Sequence, residues 1–365
     1  MRHKRKLVIM SFASNFGGGE FYLMRLTDLL KTDCDILICS TDVGGLLNEL
    51  AAAGATTVRL DNSTWIRTRW NLLVWAWSKR RSLRDSDVVV LYNGVGPAYF
   101  APLLWSFLRL KGVLIAHTPT SLWRGRLRRI ALFAARHFLA AVVGVSDTVT
   151  ADVSRLWPGV PVFSIPNWLS QAEFDARRAY SVKAKTVEFI DVVVVSRVAP
   201  GKGIEHILAA CADLPSILRL DVYGDGQLLP MLRSKYQELP HIQFHGMMRD
   251  VQRRLRSYDV LVTASSIDTF SYSTAEAILQ GLLCVVTRSD VFRELLGPDY
   301  PDSLMFEYGD QEDLRRAICR ARELILRDRK YVDHVISQAY TRIRNRNNPV
   351  VAKEKYDKLI AVVGN

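Results

Sequence analysis

The sequence lacks the features of a secreted or membrane-spanning protein. Its five cysteines include no Cys-x-x-Cys pair and no disulfide-like spacing, so we expect reduced thiols in a reducing compartment. No stretch of 18 uncharged apolar residues occurs, and the first apolar run, at residues 7–10, is too short for a secretory signal. We therefore expect a cytoplasmic protein. The basic charge of the first half of the chain also indicates a peripheral location at the inner face of the membrane.

Several common ligand motifs are also missing. The glycines do not follow the spaced Gly-x-Gly-x-x-Gly of dinucleotide-binding folds, which disfavours a dehydrogenase. Lys202 lies between two glycines, but the Gly-x-x-x-x-Gly-Lys-Ser/Thr pattern of a P-loop is absent. His117 has no second histidine or cysteine close in sequence, so we predict no metal site there.

Acidic residues are scarce in the first half of the chain. Of the net charge of +12, residues 1–170 carry +10, from 21 Lys and Arg against 11 Asp and Glu. The excess concentrates in four tryptophan-containing stretches, at 65–70, 75–81, 105–111 and 122–129. Tryptophan beside Lys and Arg favours the interface of an anionic membrane, whereas the plainer interpretation is a solvated basic face. We expect no nucleic acid partner, because the usual recognition motifs are missing.

The apolar runs predict two α/β domains, for which 365 residues are sufficient. These runs are continuous rather than alternating, as expected of parallel strands buried on both faces. Strands are predicted at 6–12, 35–40, 58–60, 87–92, 112–116, 140–145 and 162–165, and again at 189–195, 218–222, 242–244, 260–263, 283–287 and 304–306. Helices are predicted at 21–30, 204–212, 228–238, 274–280 and 311–327.

Two successive arrays of this kind predict two Rossmann-like, doubly wound domains that face a central cleft. We place the first domain at residues 1–180 and the second at 181–345, with a charged linker near 171–185. A final helix, at 346–365, is expected to pack back on the first domain. Because ligands bind at the carboxyl ends of parallel strands, polar residues at those ends are the candidate site.

Two such motifs lie in the first domain. Gly17, Gly18 and Gly19 come between a strand and a helix, where glycines let the backbone approach an anion and adopt positive φ. A tight turn is the plainer interpretation. His117 ends the strand at 112–116, where it either faces a ligand or is a satisfied core histidine.

Two more motifs open the second domain. Arg197 ends a strand and Lys202 follows on a glycine-flanked turn, so the two cations can grip a diphosphate, unless they form only a solvated basic turn. The turn Gly224-Asp225-Gly226 ends the next strand and is by itself typical of a structural turn.

The most informative stretch is residues 268–276. Two carboxylates, Asp268 and Glu276, lie across a predicted helix N-terminus. A helix N-terminus attracts phosphate, and a carboxylate accepts hydrogen bonds from sugar hydroxyls. The combination suits a nucleotide-sugar, although an N-cap and a dipole-complementing glutamate would produce the same pattern.

Together these motifs resemble the retaining glycosyltransferases of family 4, the glycosyl transferases group 1, which have the GT-B fold. The resemblance covers nearly the whole chain and is strongest over residues 191–313. The matching motifs are Ser196-Arg197, Lys202-Gly203, Gly224-Asp225-Gly226, Phe244-His245-Gly246, the pair Asp268 and Glu276, Glu276-Ala277 with Gly281, and Gly309-Asp310 with Leu314. Their common order and spacing are far more specific than any one motif.

The resemblance implies a retaining, metal-independent hexosyltransferase with no cofactor. It would move a sugar from a UDP- or GDP-sugar to a hydroxyl of a glycan or lipid-linked acceptor, in cell-surface polysaccharide or lipopolysaccharide biosynthesis. The first domain would serve the acceptor and the second the donor. Front-face attack by the acceptor is the mechanism usually proposed for such enzymes.

The resemblance also implies roles for particular residues. The backbone would approach the diphosphate at Gly17, Gly18, Gly19, Thr269, Phe270, Ser271 and Tyr272. Arg197 and Lys202 would neutralise charge on the departing nucleoside diphosphate. Glu276 would accept the ribose hydroxyls. Asp268 would hold hydroxyls of the donor sugar, and His117 would contact that sugar near the reacting carbon.

Three residues depart from the family pattern. Asp268 stands where Glu is usual, Ser271 where Gly is usual, and Leu283 where Pro is usual. Asp268 and Ser271 motivate one alternative, a non-catalytic module that binds a nucleotide-sugar. A separate alternative is a GT-B enzyme of other chemistry, such as an epimerase or phosphorylase.

Overall fold

The computed structural model describes residues 4–12, 17–42, 44–60, 65–84, 88–120, 123, 126–175, 189–248 and 250–364. Parts of three sequence motifs lie outside these residues: Asn15 and Phe16 beside the glycine run, much of the basic stretch at 122–129, and most of the expected linker. The chain forms two compact units. The first comprises Met1–Trp168 with Pro349–Asn365, and the second comprises Leu169–Asn348, where the sequence analysis placed boundaries at 180 and 345.

The first unit is built on a seven-stranded parallel sheet with the order β3-β2-β1-β4-β5-β6-β7. Its strands are β1 (Arg5–Ser11), β2 (Cys34–Thr41), β3 (Thr56–Leu60), β4 (Val88–Asn93), β5 (Gly112–Ala116), β6 (Leu139–Gly144) and β7 (Val162–Ser164). Its helices are α1 (Gly18–Leu30), α2 (Leu46–Ala52), α3 (Trp65–Arg84), α4 (Val95–Ala98), α5 (Ala101–Leu108), α6 (Arg126–Ala135), α7 (Asp147–Leu156) and the last helix of the chain, α16 (Pro349–Val363).

The second unit repeats the plan with six parallel strands in the order β10-β9-β8-β11-β12-β13. Its strands are β8 (Ile190–Val195), β9 (Leu218–Tyr223), β10 (Ile242–Gly246), β11 (Val260–Thr263), β12 (Leu283–Thr287) and β13 (Met305–Phe306). Its helices are α8 (Gln171–Asp175), α9 (Ile204–Ala212), α10 (Leu229–Tyr236), α11 (Val251–Leu255), α12 (Tyr272–Leu279), α13 (Asp290–Leu296), α14 (Gln311–Arg327) and α15 (Arg329–Arg346).

Each predicted strand is present, and the strands at 112–116, 260–263 and 283–287 have the expected bounds. The helices differ mainly at their starts. The structure begins α1 at Gly18 rather than 21 and α12 at Tyr272 rather than 274. The residue before each helix, Gly17 or Ser271, makes no side-chain cap hydrogen bond, and the first residues of both helices are outside the apolar pattern used to predict them.

Alternate residues of each central strand face opposite cores, as the period of two requires. In β1, Leu7 and Ile9 join one core layer, and Val8 and Met10 join the other. Both faces are therefore apolar, which explains why these strands read as continuous hydrophobic runs.

The last helix, α16, packs on α1 in the first unit. Its Tyr356 is fully buried and forms a hydrogen bond, hydroxyl to hydroxyl, with Tyr22 of α1. Two basic side chains of the unit add bonds to carbonyl oxygens: Arg5 donates to Ile360 at 2.7 Å, and Lys355 donates to Ser164 at 2.9 Å. A buried polar pair thus ties residues from both ends of the chain into one core.

We expect the Tyr22–Tyr356 pair to behave as a coupled unit. Replacing either tyrosine by phenylalanine should lower the free energy of unfolding of the first unit by about 1–3 kcal/mol, because the remaining hydroxyl loses its buried partner. The double replacement should cost clearly less than the sum of the two. All eight tryptophans lie in residues 1–168, so urea denaturation followed by tryptophan fluorescence reports on this unit alone. Strictly additive effects would contradict the coupling.

Candidate functional site

The strand order of the second sheet reverses between β8 and β11, which are direct neighbours. In open parallel sheets, ligands bind beyond the carboxyl ends of strands at such a switch point. Three loops leave the carboxyl ends of these strands, and we call this end of the sheet the carboxyl edge. The loops are residues 196–203 after β8, residues 224–228 after β9, and residues 264–271 after β11. They contain most of the residues singled out from the sequence.

Glycines allow these loops to touch. Gly203 (φ 65°) lies against the carbonyl of Ala264, and Gly224 (φ 143°) lies against the carbonyl of Ser196. A Cβ at either position would clash with backbone that has no room to move, and positive φ adds strain for any other residue. Hydrogen bonds complete the contact, since the Ser266 N–H donates to the Gly201 carbonyl at 3.1 Å. The glycine motifs thus bring the three loops together.

Arg197 follows β8 at the centre of this edge and is exposed. Among the residues that the structure describes, none forms a hydrogen bond or ion pair with its guanidinium group. An exposed guanidinium with five donors is suited to an oxyanion ligand such as phosphate.

Lys202 forms an ion pair with Asp268. Both side chains are largely buried, with 15% and 16% of their surface exposed, and the lysine Nζ also lies 3.4 Å from the Ser265 Oγ. The sequence analysis gave these two residues separate ligands, a phosphate and a sugar. The structure pairs them with each other. The pair has no net charge and joins the loop after β8 to the loop after β11.

The N-terminus of α12 lies at the same edge, and Ser271 caps it with left-handed backbone (φ 60°, ψ 83°). Its hydroxyl lies 2.8 Å from the Thr274 Oγ1, which in turn lies 3.3 Å from the Thr263 Oγ1. Phe270 is buried, and its ring packs edge-on against Tyr272 with centroids 4.9 Å apart. The contacts of Phe270 and Ser271 therefore hold the loop at 269–272, whose backbone N–H groups precede α12.

Glu276 is buried, and its Oε1 accepts a hydrogen bond of 2.8 Å from the Gln252 Nε2. It is the fifth residue of α12, beyond the first turn in which the sequence analysis placed it. Gln252 was missed from the sequence, because nothing in the pattern around α11 marks a residue that orients a distant carboxylate. The glutamate side chain is thus oriented by the amide of Gln252.

The first sheet has its own switch point, between β1 and β4. At that edge Asn93 connects two neighbours: its Nδ2 donates to the Ser11 Oγ at 3.1 Å, and its Oδ1 accepts from the His117 Nε2 at 2.6 Å. The His117 ring also packs edge-on against Tyr22, with centroids 4.8 Å apart. Sequence reasoning found His117 but missed Asn93, although Asn93 ends its strand just as His117 follows β5.

His117 is a neutral imidazole at physiological pH. Burial lowers its pKa from 6.5 to about 4. The amide oxygen of Asn93 can only accept, so the proton lies on Nε2 and Nδ1 keeps its lone pair. This histidine can exchange hydrogen bonds with hydroxyl groups but carries no charge for a phosphate.

The glycines at 17–19 differ from expectation in one respect. Gly17 has extended backbone (φ −168°) and caps α1, and neither Gly18 nor Gly19 has positive φ, so conformational freedom is not what this run requires. No atom of the described residues lies within 4 Å of a Cβ built at Gly18 or Gly19. The Gly17 N–H is already bonded to the Glu20 carboxylate at 2.9 Å.

Among the described residues, no group of three or more His, Cys, Asp or Glu side chains is placed to hold a metal ion. The helices within the described ranges also include none that is long and apolar enough to cross a membrane.

Residues 190–323 match the family model described as glycosyl transferases group 1. No curated protein sequence matches the chain. Among solved structures, HepE from Anabaena in complex with UDP-glucose is 15% identical with a TM-score of 0.78, over 98% of this chain and 99% of that one. The chain has the GT-B fold.

Two further GT-B structures are similar over the whole length. Sucrose-phosphate synthase from Thermosynechococcus elongatus is 16% identical with a TM-score of 0.75, over 98% of both chains. TarM from S. aureus, in complex with UDP and α-GlcNAc-glycerol, is 11% identical with a TM-score of 0.73, over 98% of this chain and 99% of that one. The fold and the group 1 resemblance predicted from the sequence are thus confirmed, the latter over residues 190–323.

The left-handed backbone at Ser271 gives a first prediction for this site. Because a Cβ is strained at positive φ, Ser271→Gly should be more stable to unfolding than Ser271→Ala by about 1 kcal/mol. Both variants lack the hydroxyl, so the comparison isolates the backbone term. Differential scanning calorimetry of the second unit's transition measures it, and an alanine variant as stable as the glycine variant would contradict the strain.

The depressed pKa of His117 gives a second prediction. The unfolded state binds this proton more tightly than the folded state, so the stability that the neutral imidazole contributes is complete above pH 6.5 and is lost as the pH falls toward 4. In heteronuclear NMR, the His117 Cε1–H resonance should not titrate between pH 5.5 and 8. A His117→Asn variant assigns the resonance and should lose that part of the pH dependence. A midpoint near 6.5 would contradict the burial argument.

Proposed function

We propose that this chain is a retaining, metal-independent glycosyltransferase that transfers a sugar from a nucleoside diphosphate sugar to a hydroxyl of a glycan or lipid-linked acceptor. The proposal places it in cell-surface polysaccharide or lipopolysaccharide biosynthesis. One observation carries it: an exposed guanidinium, a lysine–aspartate pair, a helix N-terminus and an oriented carboxylate lie on the loops and on α12 at one edge of the second sheet.

The diphosphate is the ligand for the cationic part of this edge. Arg197 is available to bind it through its planar fork of donors, and the backbone N–H groups at the start of α12 add to the attraction. When the sugar leaves, negative charge grows on the phosphate oxygen, and preorganised cations stabilise that charge without having to rearrange. Arg197 and Lys202 are assigned this part.

In this proposal the two carboxylates, Glu276 and Asp268, accept hydrogen bonds from the sugar hydroxyls of the donor. Gln252 orients the Glu276 carboxylate, whose two oxygens together have several acceptor sites, and we assign it the ribose hydroxyls. Asp268 is assigned the donor sugar, with Lys202 holding it in position. In the first unit, neutral His117 is assigned a hydrogen bond to a sugar hydroxyl.

In the proposed reaction the bond between C1 of the sugar and the β-phosphate oxygen breaks. The acceptor oxygen bonds to C1 on the same face, and its proton passes to the departing phosphate oxygen. Neither Asp268 nor Glu276 is assigned as an enzyme nucleophile. Front-face attack by the acceptor therefore accounts for retention of the anomeric configuration.

The non-catalytic alternative also rests on an observation. Lys202 and Asp268 are already paired with each other, so each neutralises the charge that the other would offer to a ligand. A chain of that kind would bind the donor but would not transfer the sugar. Donor binding and turnover must therefore be measured separately.

We expect Arg197→Ala to lower kcat/KM for the donor by about 100-fold or more, because the leaving group loses a preorganised cation. The assay is calorimetric binding of a panel of UDP- and GDP-sugars, together with release of the nucleoside diphosphate. The matched control is Arg219→Ala, which removes an exposed arginine paired with Asp191 at the opposite end of the strands. Glu276→Ala should abolish donor binding.

Three outcomes are distinguishable. Turnover that survives Arg197→Ala would overturn the assignment of the site. Tight binding of one donor with no release of the diphosphate, with or without added acceptors, would favour the non-catalytic module. No binding to any member of the panel would contradict both.

A further inference from the structure

Nearly all of the net charge of this protein lies in one stretch of sequence. Residues 62–146 contain 13 Lys and Arg but only two acidic residues, against a net charge of +12 for the whole chain. Between Asp87 and Asp147 there is no acidic residue. Six of these cations lie on α3 and three on α6, whereas α5, between the two in sequence, carries none.

These three helices are neighbours in one layer. α3 packs on α5, and α5 packs on α6. All three cover the same core, to which they contribute Leu72, Trp75, Ala76, Ala101, Leu104, Leu132 and Ala135. Their inner sides are thus occupied, and their other sides face outward together.

The outward sides carry large apolar side chains that a solvated surface does not need. On α3, Trp70, Val74 and Trp77 are 66%, 52% and 53% exposed, and their spacing of four and three residues places them on one side of the helix. α5 adds Leu103, and α6 adds Ile130 and Phe133, which are 59% and 52% exposed. We call these six residues, with the cations beside them, the basic aromatic surface.

Two cations of this surface lie directly over its rings. The Arg80 guanidinium carbon is 4.0 Å from the centroid of the Trp77 ring, and the Arg136 guanidinium carbon is 3.6 Å from that of Phe133. Lys79 and Arg81 are exposed beside them. Apolar tips and positive charge therefore occupy the same surface, rather than separate regions of it.

We propose that the basic aromatic surface docks on an anionic lipid bilayer. Tryptophan rings settle at the level of the lipid headgroups, aliphatic tips enter the acyl boundary, and Lys and Arg pair with anionic headgroups. With six Lys and Arg in its 20 residues, α3 lies on the bilayer and does not cross it. The inference rests on the first unit alone and does not depend on the proposed function.

The observations favour lipid over the other partners of a basic surface. A second copy of the same surface would bring two large positive charges together, which like-charge repulsion opposes. Nucleic acid accounts for the cations, but a phosphate backbone offers nothing to exposed Val74, Leu103 and Ile130. A bilayer is the partner that uses both the charge and the apolar tips.

The test is sedimentation of the full chain with vesicles of phosphatidylcholine, with and without phosphatidylglycerol. We expect at least about tenfold stronger binding to the anionic vesicles, weakened by salt, with a blue shift of tryptophan emission. Two variants probe the two components: Trp70→Ala with Trp77→Ala, and Lys79→Glu with Arg81→Glu. Each should weaken binding by at least about tenfold, and the first should also lose most of the blue shift.

Matched controls come from the second unit. Arg327→Glu with Lys330→Glu makes the same change in net charge at exposed positions, and Met231→Ala with Leu326→Ala removes exposed apolar side chains. Both should bind like the parent. The proposal is overturned if the controls lose as much as the test variants, if neutral and anionic vesicles bind equally, or if the protein binds a DNA or RNA oligomer but neither kind of vesicle.

Discussion

The candidate donor site depends on the close approach of three loops at the carboxyl edge of the second sheet. Parallel strands send all their following loops to one edge, so polar residues that are 30 or 60 positions apart in sequence converge there. The loops touch only because Gly203 and Gly224 have no Cβ to strike the carbonyls of Ala264 and Ser196. With any other residue at these positions the loops would separate, and the cation-bearing loop would no longer lie beside the one that starts α12.

At that edge, the ion pair between Lys202 and Asp268 is the feature that bears most directly on the proposed function. An ion pair with both side chains largely buried is costly to separate unless a ligand replaces the lost partner. A nucleotide-sugar would do so, since its phosphate suits the lysine and its hydroxyls suit the aspartate. The same pair explains how the catalytic proposal and the binding-only alternative can share one geometry: they differ in whether the donor opens the pair.

The two units differ in how their charged and polar residues are distributed. The second unit has charge of both signs and holds its polar residues in hydrogen bonds, as with Glu276 and Gln252. The first unit concentrates positive charge and exposed aromatic rings on α3 and α6, while its switch-point residues Ser11, Asn93 and His117 are uncharged. The excess positive charge of the first unit thus lies on the surface that we propose docks on a bilayer, and not at the polar cluster of its sheet.

The sequence by itself determined the strands, because continuous apolar runs between turn residues are what a doubly buried parallel strand requires. It also determined the group 1 resemblance and the ends of the strands at which Arg197, Lys202, Asp268 and His117 lie. Only the tertiary structure decided which of these residues meet. It paired Lys202 with Asp268, brought Gln252 to Glu276 and Asn93 to His117, and placed Trp70, Trp77 and Phe133 on one outward layer. The physical reason is that local pattern fixes the direction in which each strand and helix runs, whereas partners contributed by separate strands and helices are set by sheet order and packing, for which a single sequence carries no local signal.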